Sequence, residues 1–180
     1  VEIALSMDEL RVVARYAVES AEEVLTVFEQ CHPGDRRPRA AIEAARAFAG
    51  GARRTNLQRT TALDAHRAAK AAATEAAKHA AHAAGDAAAA AYLHPLAQPT
   101  QVGHILRAAA HAARVAELRA GDDPAVGDRH IEQARVRATP TLVELLGRYP
   151  LAPTGGSRVA QLMTALDAAL RNVSRETPTR

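Results

Sequence analysis

Eight histidines stand in a chain of 180 residues that contains no tryptophan, and their spacing limits the chemistry they can do. Glu75, His79, His82 and Asp86 fall at i, i+4, i+7 and i+11, which puts them on one face of a helix. Two imidazoles and two carboxylates on one stripe are ligand types for a divalent transition metal. The plainer reading is the solvated polar face that a helix otherwise made of alanine needs. No metal is assigned on this spacing.

A second group surrounds a break in the chain. His94 and His104 flank Pro95 and Pro99, with Tyr92 and Gln101 nearby. Such side chains either cap free backbone groups at the helix ends or line a ligand pocket, to which His66 is a further candidate contributor. Glu29 and His32 form one E-x-x-H. Di-iron bundles use two such motifs plus two further glutamates, so this lone copy beside Pro33 is read as coincidence. Asp35 can accept hydrogen bonds from the helix start that follows it. Arg36, Arg37 and Arg39 can bind carboxylate or phosphate bidentately, or brace the loop against acidic residues before it. There is no Gly-rich phosphate loop, no G-x-S-x-G, no C-x-x-C and no H-E-x-x-H. No catalytic residue is assigned and no cofactor is called for.

The elements that must position these residues read as helices throughout. Ser6 and Glu9 form an S-x-x-E capping box. Leu10, Val13, Ala17, Val24 and Phe28 follow at helical spacing until His32-Pro33-Gly34. Pro38 suits the first turn of a second helix, which Gly50-Gly51 stops. Thr55 and Gln58 open a long third helix, expected to run to at least Ala84, where Gly85 interrupts it or lets a neighbour approach. Thr100 is the expected cap of the next helix, which ends at Gly121. Asp123-Pro124 and Thr139-Pro140 begin two more. Val159, Leu162, Met163, Leu166 and Leu170 mark the last, and 172–180 is expected to be a frayed tail.

Composition agrees. Alanine supplies 45 residues; it is the best helix former because it loses no side-chain entropy. Aromatic residues are only 3 %, and no segment alternates with period two, so no sheet is expected. The expectation is one all-α domain over 1–180, a bundle of about seven helices with an alanine-rich centre. Alanine faces let helices pack closely, and a second copy of the chain could cover one, which leaves a homodimer open. No apolar run approaches the roughly 18 residues that span a bilayer, and no signal peptide is visible, so no membrane partner is expected. The lone Cys31 excludes an internal disulfide framework and fits a reducing cytoplasm.

Net charge is +3, unevenly placed. Residues 1–30 carry seven acids against Arg11 and Arg15, and residues 35–59 carry seven arginines against Asp35 and Glu43. The two segments either attract each other in the fold or form partner-facing patches, with Glu19, Glu22 and Glu23 on one and Asp35, Arg36, Arg37 and Arg39 on the other. The basic segment, extended by Arg53 and Arg54, lacks interleaved aromatics and any recognised motif, which disfavours nucleic acid.

The segment D-R-R-P-R-A-A-I-E-A-A-R-A-F-A-G-G from Asp35, with A-L-D-A-H-R-A-A-K from Ala62, resembles bacterial immunity proteins of the Imm5-like type. So do A-Y-L-H-P-L-A-Q-P-T-Q-V-G-H-I-L from Ala91 and L-L-G-R-Y-P-L-A-P-T-G-G-S-R-V-A-Q-L-M from Leu145. The resemblance implies an all-α fold and a non-catalytic protein that neutralises a cognate toxin by binding it. One branch of the group has a histidine where this chain has Asp86, and another where it has Tyr92, so a histidine site of that branch does not carry over. The alternative function is a metal- or small-ligand-binding helical protein, or an enzyme, whose pocket draws on Tyr92, His94, Gln101, His104 and His66.

Overall fold

Helices follow one another along the computed structural model, which describes residues 2–176, with side chains to Asn172. Eight α-helices occur among the described residues: α1 Met7–Cys31, α2 Arg37–Ala49, α3 Asn56–Lys70, α4 Glu75–Ala89, α5 Val102–Arg119, α6 Pro124–Arg137, α7 Pro140–Gly147 and α8 Arg158–Glu176. Short 3-10 turns at Ala90–Tyr92 and Pro99–Gln101 join α4 to α5. The described residues contain no strand, only one isolated bridge between Glu2 and Leu96. The fold is all-α. The expected tail is helical as far as Glu176, and 177–180 lie outside the described residues.

The helix starts follow their caps. Ser6 and Glu9 form the reciprocal capping box of α1, and Thr55 and Gln58 that of α3. Asp123 and Thr139 cap α6 and α7, each ahead of a proline in the first turn. Two expectations are corrected. The long third helix is two helices. One helix over 56–89 would be roughly 50 Å long, against about 30 Å for a small domain. The chain folds back instead at Ala71–Thr74, although alanine favours helix, because propensity is a weak prior against packing. Thr74 caps the N–H of Ala77, and His32 at the end of α1 accepts the Ala73 N–H at 3.0 Å. This turn accounts for eight helices rather than seven. Nor is Thr100 a cap: it lies inside the 3-10 turn that leads into α5.

α4 and α5 form the centre. α4 packs against α1, α2, α3 and α5, while α5 also meets α6 and α8. Ala77, Ala80, Ala81, Ala83, Ala84, Ala87 and Ala88 of α4 are all buried. A helix can touch four neighbours only if its side chains are small on nearly every face. The larger apolar groups come from α5 (Ile105, Leu106) and from the helices around the central pair (Phe28, Phe48, Leu145, Leu166). Polar braces tie the periphery. Arg15 of α1 donates to the carbonyl of Ala49 at the end of α2 (3.0 Å), and Tyr16 donates to the carbonyl of Ala134 in α6 (2.9 Å).

Candidate functional site

The polar stripe of α4 runs from exposed Glu75 through half-buried His79 and His82 to buried Asp86. α3 and α5 flank it, and each brings a histidine to it. His66 of α3 reaches His82, with Nδ1 to Nδ1 at 2.8 Å. His111 of α5 reaches His79, with Nδ1 to Nδ1 at 2.9 Å. The rings of His82 and His111 stack with centroids 5.2 Å apart. Gly85 makes the approach of α3 feasible, because a Cβ there would lie 2.8 Å from the His66 ring.

Asp86 sits beside two of the four imidazoles, those of His66 and His111. His111 Nε2 lies 3.5 Å from its Oδ2, His66 Nε2 lies 3.8 Å from its Oδ1, and Arg107 of α5 is 3.8 Å from Oδ1. Its Oδ2 is buried without a hydrogen-bond partner. Burial pushes the Asp86 carboxyl up to about 7, against the pull of Arg107. Burial also lowers the histidines, His66 and His79 to about 4 and His111 well below its ordinary value. Neighbouring cations reinforce that shift, and Arg107 contributes at His66, His82 and His111. The site is therefore a set of neutral imidazoles over a carboxyl that is neutral below about pH 7, in a positive field.

His79 and His111 pair through Nδ1, so one ring donates there and the other accepts, while Asp86 lies 3.5 Å from His111 Nε2 and Glu75 lies 3.8 Å from His79 Nε2. The nitrogens pair two by two rather than converging. Among the described residues, no group of three or more His, Cys, Asp and Glu side chains is placed to hold a metal ion.

The cluster opens on a cleft of about 420 Å³ between α4, α5 and the chain leading into α8. Lys78, His79, His82, Arg107 and His111 line one side, with Pro153, Ser157, Val159 and Met163 on the other.

The residues anticipated for a pocket go to several places. His66 joins the cluster, and it shares a smaller cleft of about 170 Å³ with Tyr92. The Tyr92 hydroxyl donates to the carbonyl of Thr55 (2.6 Å), with the guanidiniums of Arg54 and Arg59 over its ring. Gln101 accepts the backbone N–H of His94 at 2.9 Å, and the carbonyl of His94 accepts from Tyr149. Burial and Arg107 lower His104, against an opposing pull from the backbone of Ala89. His111 and Arg107 were not singled out in the sequence. Their signal is the i, i+3, i+7 stripe of His104, Arg107 and His111 on α5.

The charged segments meet each other. Glu22 pairs with Arg46 and Glu29 with Arg39 across α1 and α2, while Glu19 and Glu23 hold Arg137 of α6. Asp35 accepts from the backbone and side chain of Arg37, and Arg36 lies 3.7 Å from Glu43. His32 stacks on Phe28 instead of joining Glu29.

Residues 4–139 match the family model described as "Imm-5 like putative immunity protein". The chain belongs to this Imm-5 like family. No curated protein and no solved structure matches it. The Imm-5 like region contains α1 to α6, and with them all four clustered histidines, Asp86 and Arg107. The far wall of the cleft, from Pro153 to Met163, lies beyond it, as does the Leu145–Met163 segment of the resemblance.

Proposed function

We propose that this Imm-5 like protein is an immunity protein that neutralises a cognate bacterial toxin by binding and occluding it, without chemistry of its own. Family membership over residues 4–139 carries the reading. The proposed place of action is the cytoplasm. The proposed contact surface is formed by α1, α2 and the loop between them, where Glu19, Glu22, Glu23, Asp35, Arg36, Arg37 and Arg39 stand. Each of these groups has an ion-pair partner within the chain. Charges already held in place lose less side-chain freedom on docking, and complementary charge raises the rate of encounter.

The test is association of the purified chain with candidate toxin domains from the same genome, followed by surface plasmon resonance, with cell survival on co-expression as the second readout. A true partner binds saturably and its toxicity is lost. If every candidate is ignored and cells die regardless, the immunity reading falls. With a partner in hand, Glu19→Lys, Glu22→Lys and Glu23→Lys together should slow association about tenfold at low salt. An unchanged on-rate would move the interface away from α1. A melting curve of the triple variant separates docking from lost bracing of Arg46 and Arg137. Native mass spectrometry of the same sample decides between a monomer and a homodimer.

A further inference from the structure

The cleft beside the histidine cluster has two unlike walls. One presents the cations of Arg107 and Lys78 and the imidazole rings of His79, His82 and His111. The other presents Pro153, Val159, Ala160 and Met163, with the hydroxyl-bearing Thr154 and Ser157 beside them. Among the described residues no carboxylate lines either wall.

Arg107 is the group that lacks a partner suited to it. A guanidinium carries five N–H donors in a fork that matches a carboxylate. The carboxyl nearest to it is that of Asp86, at 3.8 Å, too long for a hydrogen bond. Asp86 is also enclosed, and its burial raises the carboxyl to about 7, which weakens the compensating charge it offers Arg107. Gly103, one turn earlier on α5, makes room for this placement, since a Cβ there would lie 2.1 Å from the guanidinium. Lys78, by contrast, is already engaged with Glu75 at 3.3 Å.

The field in the cleft selects the sign of the ligand. Arg107 and Lys78 both disfavour protonation of the histidines, so they disfavour any second cation there. An anion is favoured by the same positive potential, and neutral imidazoles can turn an N–H toward it. The apolar wall then requires a carbon body. A phosphate would be solvated poorly against Val159 and Met163, and its second charge would need a further free cation.

We propose that this cleft binds a small organic carboxylate, with the carboxylate on Arg107 and the imidazole N–H groups and an apolar body against Val159 and Met163. The site stands independently of toxin neutralisation. It needs no partner protein and lies on different elements from the α1 and α2 face.

The test is a titration of the full-length protein with benzoate, followed through the histidine ring resonances by NMR, with inorganic phosphate in parallel. Benzoate should shift His79, His82 and His111 saturably and leave His32 and His130 in place. Arg107→Gln should weaken binding about tenfold or more with the melting temperature little changed. If Arg107→Gln does not fold, Arg107→Lys supplies the comparison, because it keeps the charge and loses the fork. Binding lost or weakened in either variant supports the site. Absence of saturable shifts, affinity unchanged in the variants, or phosphate binding as tightly as benzoate overturns it.

Discussion

Gly85 and His66 show how one missing side chain shapes the cluster. Alanine at position 85 gains about 1 kcal/mol as a helix former. It also places a Cβ 2.8 Å from the His66 ring, which must swing away and give up its contact with His82. Loss of that hydrogen bond costs about 1 kcal/mol, and an off-rotamer ring about as much again. Gly85→Ala is therefore expected to be neutral or to lose up to about 1 kcal/mol, with the His66 ring resonances altered. Thermal melts and ring NMR check this; clear stabilisation would mean the ring leaves its place at no cost. The titrating groups give a second prediction. His66, His79, His82, His104 and His111 have folded pKa values below the unfolded 6.5. Between those values the unfolded chain binds more protons, so their stability contribution is present above pH 6.5 and is lost as pH falls toward 4. Asp86 works oppositely: its pKa is raised to about 7, so it favours the fold below that value and loses its contribution as pH rises through it. Five imidazoles outweigh one carboxyl. Stability should fall by about 2–4 kcal/mol from pH 7 to pH 5, checked by denaturant titration at the two values. Unchanged stability would mean that the rings take up protons in the folded state.

The helices depend on smallness at the centre. α4 buries seven alanines and touches four other helices, so its neighbours lie too close to admit larger groups. Ala84→Leu adds three carbons where the side chain is wholly enclosed. Overpacking of this kind costs about 1–3 kcal/mol, although leucine is nearly as good a helix former as alanine. The expected result is a lower melting temperature with unchanged helical circular dichroism. A melting temperature at or above wild type would show that the centre holds space for a large side chain. The same closeness delivers His66 and His111 to the stripe on α4, since larger residues on these faces would hold α3 and α5 away.

At the scale of the molecule, ion pairs between distant segments differ sharply in worth. Glu117 of α5 is 0 % exposed. It is held by Arg114, 2.8 Å away, and by Arg158 of α8, 2.6 Å away. Gly127 of α6 leaves room for it, since a Cβ there would lie 1.9 Å from its carboxylate. Arg158→Ala strips one of the two partners of a buried charge and should cost about 2 kcal/mol. It also loosens the attachment of α8, which forms part of the cleft's apolar wall. Arg36→Ala removes a pair at 3.7 Å between exposed side chains, expected to matter by less than about 0.5 kcal/mol. Chemical denaturation of both variants tests the contrast, and equal losses would contradict it.

The caps, the prolines and the alanine content were enough to give the fold class and most helix starts, because each acts within a few residues of itself. The stripe of Glu75, His79, His82 and Asp86 was legible for the same reason: it follows from 3.6 residues per turn. Local rules gave no turn at Ala71–Thr74, because nothing in three alanines breaks a helix; the fold-back comes from packing and from His32, 41 residues away in sequence. That turn decides the site. It lays α3 against α4, brings His66 to His82 across 16 residues, and encloses the Asp86 end of the stripe. Whether the acidic and basic segments faced each other or a partner was equally a matter of tertiary structure, which pairs Glu22 with Arg46 and Glu29 with Arg39. Sequence determined which residues share a helix face. Only packing decided what each face meets, because contacts between helices depend on how the whole chain encloses its small side chains.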